Sequence, residues 1–220
     1  MAITNYTDKE IQFKIVVHGP PFAGKSTTLH YLQSRLDASH VGELKTLKSG
    51  ADTTLFFDFV PRDATLLEDF KIRFELFTVT GNVVFNAPRK LALRDADGVI
   101  FVVDSDWGKI GQDIQSFKNL EDTLKKLGTE VDELPIVLQY NKRDLPDAAP
   151  AGYLDFVLNN RKIRARTFAT VAATGANVFA PLRALTRMLV QRFLEHNRQQ
   201  PAGMQSRMLA DQVCEGSPPL

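Results

Sequence analysis

Two short runs have residue types and spacing that could do chemistry. Gly19-Pro20-Pro21-Phe22-Ala23-Gly24-Lys25-Ser26 fits the pattern G-x-x-x-x-G-K-[ST]. Glycines at its ends let a backbone loop fold so that its N–H groups converge on phosphate oxygens, with a helix N-terminus adding favourable dipole. In such a loop Lys25 reaches the β- and γ-phosphates, and the Ser26 hydroxyl is an oxygen ligand for Mg²⁺. The expected phosphate contacts are therefore Gly19, Phe22, Ala23, Gly24, Lys25, Ser26 and Thr27. Pro20 and Pro21 each remove an N–H donor and fix φ, which stiffens the loop. Phe22 either covers the bound nucleotide or packs beneath the loop.

The second run is Asn141-Lys142-Arg143-Asp144, directly after an apolar stretch ending at Tyr140. It resembles the N-K-x-D motif of Ras-like GTPases. There the Asp144 carboxylate accepts two hydrogen bonds from the guanine N1–H and exocyclic amine, a donor pair adenine lacks. A site built for such donors rejects analogues without them by on the order of 10⁴-fold in favourable cases. The resemblance gives Asn141 the task of bracing the loop and lays the Lys142 stem over the base. Ala172 and Ala173, within Ala169 to Thr174, fall where the last base-contacting loop of such proteins stands. The run also disfavours an ATP-dependent P-loop kinase.

The elements that must position these runs are legible from periodicity. Short apolar runs alternating with longer helical patterns predict an α/β fold of the Ras-like P-loop type, with a six-stranded, mostly parallel sheet and helices on both faces. Ile11 to His18, Gly98 to Asp104 and Pro135 to Tyr140 read as buried central strands. Leu55 to Phe59 and Phe70 to Thr78 alternate as an antiparallel pair, and Thr167 to Ala172 supplies the last strand. Helices are expected over Lys25 to Leu36, Gln112 to Leu127, Gly152 to Asn159 and Ala180 to His196, with a polar loop from Ser39 to Asp52. Residues 1–198 form one domain and 199–220, rich in Pro, Gly, Ser and Gln, a flexible tail.

Bulk properties narrow the class of partner. A formal net charge of +1 among 220 residues gives no electrostatic reason to expect nucleic acid. The single cysteine, Cys214, excludes an internal disulfide framework and fits a reducing compartment. The N-terminal residues lack a signal-peptide pattern, and no apolar run approaches the ~20 residues that span a bilayer. Cys214 is too far from Leu220 for a prenylation box. A cytoplasmic protein without a stable membrane anchor is expected.

The connecting segments are more specific. Thr54 to Phe59 (TLFFDF), Phe77 to Gly81 (FTVTG), Phe85 to Lys90 (FNAPRK) and Asn141 to Pro146 (NKRDLP) closely resemble the corresponding runs of the bacterial polarity GTPases of the MglA type, over roughly residues 11 to 196. The resemblance implies GTP and Mg²⁺ binding, two nucleotide-dependent switch regions, a roadblock-type (MglB-like) regulatory partner, and an output in cell polarity or gliding motility. It assigns Thr54 to the Mg²⁺ shell and Gly81 to the γ-phosphate through its backbone N–H. Aspartate, usual three residues before that glycine, is here Thr78, as in the family. Asp58 is a candidate for the missing carboxylate or else a solvated edge charge. Two departures bear on rate. Asn82 stands where a glutamine usually orients water, one methylene shorter, and ~1 Å of displacement costs on the order of 10²-fold. Thr53 stands where the family has an arginine finger, whose loss removes ~10³–10⁵-fold in other GTPases. Hydrolysis is expected to be slow and partner-assisted, with a catalytically near-inactive nucleotide-binding scaffold as the alternative. Of the rest, His18 reads as a strand flank, Phe56 to Phe59 as core with a possible partner surface, Trp107 as a surface anchor, and Arg161, Lys162, Arg164 and Arg166 as a solvated loop.

Overall fold

A computed structural model describes residues 2–49, 52–61, 70–80 and 86–198. In chain order the elements are β1 (Ile3–Asn5), β2 (Glu10–His18), α1 (Lys25–Arg35), β3 (Lys45–Ser49), β4 (Asp52–Phe59), β5 (Lys71–Thr80), α2 (Asn86–Leu93), β6 (Gly98–Asp104), a 3-10 turn (Trp107–Lys109), α3 (Ile110–Lys126), β7 (Ile136–Asn141), α4 (Ala151–Leu158), β8 (Arg166–Ala169) and α5 (Phe179–Arg198). The strands form a single sheet in the order β3-β4-β5-β2-β6-β7-β8, with β1 pairing β2 beside this path. β5, β2, β6, β7 and β8 run parallel, while β4 is antiparallel to β5 and β3 to β4.

The sheet has eight strands, where periodicity predicted six. One added strand, β3, lies inside the stretch expected to be a loop. Its sequence, KTLKS, offers a single large apolar side chain, Leu47, which is exposed, so no alternating pattern marks it. Backbone pairing with β4 makes the strand. The other, β1, is three residues long and below what periodicity detects. Helix α2 was not expected either, and the predicted last strand ends at Ala169, which leaves Ala172 and Ala173 in the following loop. The tail expected at 199–220 lies outside the described residues.

Two apolar layers enclose the sheet. Leu29 and Leu32 of α1, together with Leu182, Leu185 and Leu189 of α5, pack on Phe13, Ile15, Val17, Phe57, Phe74 and Leu76. On the other face Phe117, Leu120 and Leu124 of α3 and Leu154 and Leu158 of α4 cover Phe101, Val103, Leu138 and Tyr140. Burial along β2 records this coverage. It alternates over Glu10–Lys14, where one face is open, and becomes continuous from Ile15 to His18, where both are covered. The continuously buried ends of β2, β6 and β7 are the edge from which the candidate loops emerge.

Candidate functional site

The phosphate loop leaves the sheet through a glycine that cannot be replaced. Gly19 has φ +146°, and a Cβ there would stand 2.2 Å from the Val102 carbonyl oxygen of β6. Phe22 follows at φ +64°, a region a bulky side chain enters only when the surrounding loop imposes it, and its ring is 88% exposed. Of the two positions open to Phe22, the structure shows the ring out in solvent and not beneath the loop. Ala23 is fully buried, with its N–H on the Pro20 carbonyl at 3.4 Å. Gly24, at φ +102°, is the N-cap of α1. The Lys25 ammonium is buried and donates to the Pro20 carbonyl at 2.6 Å, so the loop folds its own cation inward. Ser26 is half-buried and Thr27 exposed on the first turn of α1.

Asn141 ties this loop to the rest of the site. It ends β7, is buried, and uses both ends of its amide. Nδ2 donates to the Ala23 carbonyl at 2.7 Å, and Oδ1 accepts the Ala172 N–H at 2.8 Å and the Thr170 hydroxyl at 3.3 Å. The approach is possible because residue 24 is glycine: a Cβ there would lie 2.2 Å from Asn141 Nδ2. Phosphate loop, base strand and final loop are thereby held by one side chain. Asp144 is exposed two residues beyond Lys142, while Ala172 is buried and Ala173 exposed. Gly175, at φ +84°, closes the loop directly on Tyr31 of α1, where a Cβ would fall 1.8 Å from a ring carbon.

Lys142 is itself held at φ +61°. Its ammonium donates to Asp104 Oδ2 at 2.7 Å, at the end of the neighbouring strand, and Asp104 is buried. Asp104 was legible only as the polar residue ending an apolar run. Neither it nor its neighbour Asp113, whose Oδ1 accepts the Asp104 N–H at 3.0 Å, belongs to a motif. The carboxylate after VIFVV in β6, with Asn141 opposite it in register, was the available clue.

The switch residues are brought less close. Thr54 is half-buried within β4, paired with Val79 of β5. Thr78 pairs with Val17 of β2, so Thr54 stands level with the end of β2 but two strands away, roughly 10 Å at usual strand spacing. Asp58 is not brought to the site at all. It lies opposite Glu75, which lies opposite Lys14, five positions before Gly19 and therefore about 16 Å down the sheet. Its carboxylate is engaged by Arg73 Nη1, whose Nε donates to Glu10 at 2.8 Å. Its place on the strand adjacent to Thr78, inside an otherwise aromatic run, suggested Asp58, but strand pitch carries it away. Thr78, by contrast, is fully buried near the end of β5, with its hydroxyl lacking a hydrogen-bond partner among the described residues. An oxygen donor left unsatisfied there, with Ser26 and phosphate oxygens, suits the hard, oxygen-seeking Mg²⁺ ion. Gly81 and Asn82 lie outside the described residues.

The remaining sequence expectations sort by burial. His18 packs on Phe101 with ring centroids 5.9 Å apart. Phe57 and Phe59 are core, and Phe56 stacks on Phe77 on the open face. Trp107 rests partly exposed against Tyr153. Arg161 departs from the solvated loop expected. Its side chain is nearly buried, bonded to Asp132 at 3.3 Å and to the Val131 carbonyl. No helix among the described residues is long and apolar enough to cross a membrane.

Comparison with known proteins agrees with this geometry. The family model described as the ADP-ribosylation factor family matches residues 1–191. The Mutual gliding-motility protein MglA of Myxococcus xanthus is 40% identical over 190 residues, which is 86% of this chain and 96% of that protein. ADP-ribosylation factor-like protein 13B of Chlamydomonas reinhardtii is 28% identical over 142 residues, 64% of this chain and 23% of that longer protein. With a phosphate loop, a braced base strand and these matches in one chain, the protein belongs to the ADP-ribosylation factor family and is a small GTPase of the MglA type.

Proposed function

We propose that the protein is a GTP-binding molecular switch that hydrolyses GTP slowly, is reset with the help of a roadblock-type partner, and acts in bacterial cell polarity or gliding motility. The observation that carries the nucleotide site is the pair of hydrogen bonds that Asn141 makes with Ala23 and Ala172, which ties the phosphate loop to the base loop. Gly19, Phe22, Ala23, Gly24, Lys25, Ser26 and Thr27 would line the phosphates, with Asp144 selecting guanine and Lys142, Ala172 and Ala173 framing the base. Ser26 and Thr54 would ligate Mg²⁺, and the buried Thr78 hydroxyl offers an oxygen where relatives of other types have aspartate. When bound, the ion draws charge from the phosphate oxygens.

Switching would run through Thr54, which stands in β4 about two strand spacings from the end of β2 and whose hydroxyl would sense the γ-phosphate. Gly81 would sense the same phosphate, and Asn82 would orient water from a position one methylene short of glutamine. Thr53 replaces the finger, and Arg73 is committed to Glu10 and Asp58. That commitment also favours a second reading, a scaffold that binds GTP and GDP with negligible catalysis. Residues 1–198 would act as the switch domain, in the cytoplasm, with 199–220 as a tail.

Single-turnover GTP hydrolysis with and without a roadblock-domain partner separates the two. A switch turns over slowly alone and about 10³-fold or more faster with partner, in the range of groups supplied in trans. Rates that stay negligible in both conditions establish the scaffold. Equal competition by ADP against GDP would remove the guanine assignment altogether.

A further inference from the structure

Asp113 lies in the first turn of α3 and is fully buried. Its Oδ1 accepts the backbone N–H of Asp104, and its Oδ2 has no hydrogen-bond partner among the described residues. A titratable acid is not needed to satisfy one amide, because a permanently neutral side-chain oxygen would do the same without any charge to bury. The amide in question belongs to the residue whose own buried carboxylate takes the Lys142 ammonium at 2.7 Å. Lys142 in turn is held at a positive φ that lysine seldom adopts. Three groups thus stand in series from α3 through the end of β6 to the base loop.

We propose that Asp113 is a positioning residue for the guanine base: it fixes the end of β6, so that the Asp104 carboxylate holds the Lys142 stem where the base lies. This rests on the guanine-nucleotide site proposed above. Through Asp104, Asp113 acts on a side chain that lies along any purine, while the edge-reading Asp144 is untouched.

The same placement makes the hold sensitive to proton concentration. Burial foremost, with the Asp104 charge adding to it, pushes the Asp113 carboxyl up to about 8, against the lowering pull of the Asp104 N–H, Lys142 and Lys25. The charged groups that face it are Asp104 from the end of β6, Lys142 after β7 and Lys25 from the start of α1. Neutral Asp113 leaves Asp104 alone to hold the ammonium. Ionised Asp113 sets a second buried negative charge beside Asp104 and disturbs that pair.

The test is the dissociation rate of fluorescent GDP and fluorescent inosine diphosphate from the full chain, in Mg²⁺, between about pH 6.5 and 8.5. Dissociation from the wild type is expected to accelerate severalfold as pH rises. Asp113→Asn keeps an oxygen for the Asp104 N–H but cannot ionise, so its rate should stay flat at the wild type's low-pH value. Asp113→Leu, without an acceptor, should release both nucleotides about tenfold faster at every pH with the GDP-to-inosine ratio unchanged. If Asp113→Asn keeps the wild-type slope, or Asp113→Leu releases GDP at the wild-type rate, the positioning role is refuted. Should Asp113→Leu melt before the assay temperature, the Asn profile alone decides. A wild-type protein that binds no guanine nucleotide refutes the nucleotide site itself, a result distinct from either.

Discussion

Replacing Asn141 with alanine tests the central joint of the site. The change removes one amide and leaves two buried backbone groups without that partner, the Ala23 carbonyl and the Ala172 N–H. Ala23 is fully buried and Ala172 nearly so, which limits rescue by water. Stranding a buried backbone group costs about 1–3 kcal/mol, so two cost about 2–6 kcal/mol in total. That cost divides between folding and binding. If the unliganded loops keep their places, the unfolding free energy falls. If they part, stability is spared and GDP affinity falls instead, by about 30-fold or more at ~1.4 kcal/mol per decade. Urea unfolding of the nucleotide-free chain and equilibrium titration with fluorescent GDP together capture both shares, and their sum is the quantity predicted. A combined loss below about 1 kcal/mol would refute the claim that Asn141 joins the loops, since it would mean that neither orphaned group is worth a hydrogen bond. The Gly24→Ala variant is an independent route to the same joint, because its Cβ would occupy the place of Asn141 Nδ2.

Other expectations follow from particular contacts. Asp58→Ala should leave the Mg²⁺ dependence of nucleotide binding unchanged and, with Arg73 released from a half-exposed pair, cost about 1 kcal/mol or less in unfolding; a weakened Mg²⁺ dependence would return Asp58 to the metal. Gly175→Ala forces a Cβ onto the Tyr31 ring at a positive φ, so the melting temperature should drop by several degrees, and adding Tyr31→Ala should recover part of the loss; full additivity of the two changes would refute the contact. The raised Asp113 carboxyl also has a sign in folding. The native state keeps its proton up to about pH 8, whereas the unfolded chain releases it near the ordinary aspartate value of ~3.9. Wild-type stability should therefore decline between those limits, by at most ~1.4 kcal/mol per pH unit from this group, and Asp113→Asn should flatten that decline in denaturant titrations at several pH values.

The parts legible in the sequence were those whose chemistry is local. A loop that cradles phosphates must be contiguous, and Gly19 to Ser26 therefore announced both the site and the strand and helix beside it. Asn141 to Asp144 is contiguous for the same reason. Strands covered on both faces, such as Gly98–Asp104, are equally plain because their burial writes itself as an unbroken apolar run. What escaped depends on register across the sheet. Asp58 is four residues from Thr54 along the chain, and only the pairing of β4 with β5 and β5 with β2 shows that those residues carry it down the sheet to Arg73. The lysine-bearing strand β3 escaped because an edge pairing needs no apolar alternation. Asp104 and Asp113 escaped because their meaning lies in a contact between a strand end and a helix turn nine positions on.

The turn made by Pro20, Pro21 and Phe22 has a thermodynamic consequence. Its two prolines have little torsional freedom to lose, and the Pro20 carbonyl already receives both the Ala23 N–H and the Lys25 ammonium. An incoming polyphosphate therefore meets a prearranged cradle and exchanges one oxygen for another around the lysine. Calorimetry should register this as a binding enthalpy smaller than a bare ammonium would give, offset by a lighter entropic penalty of ordering.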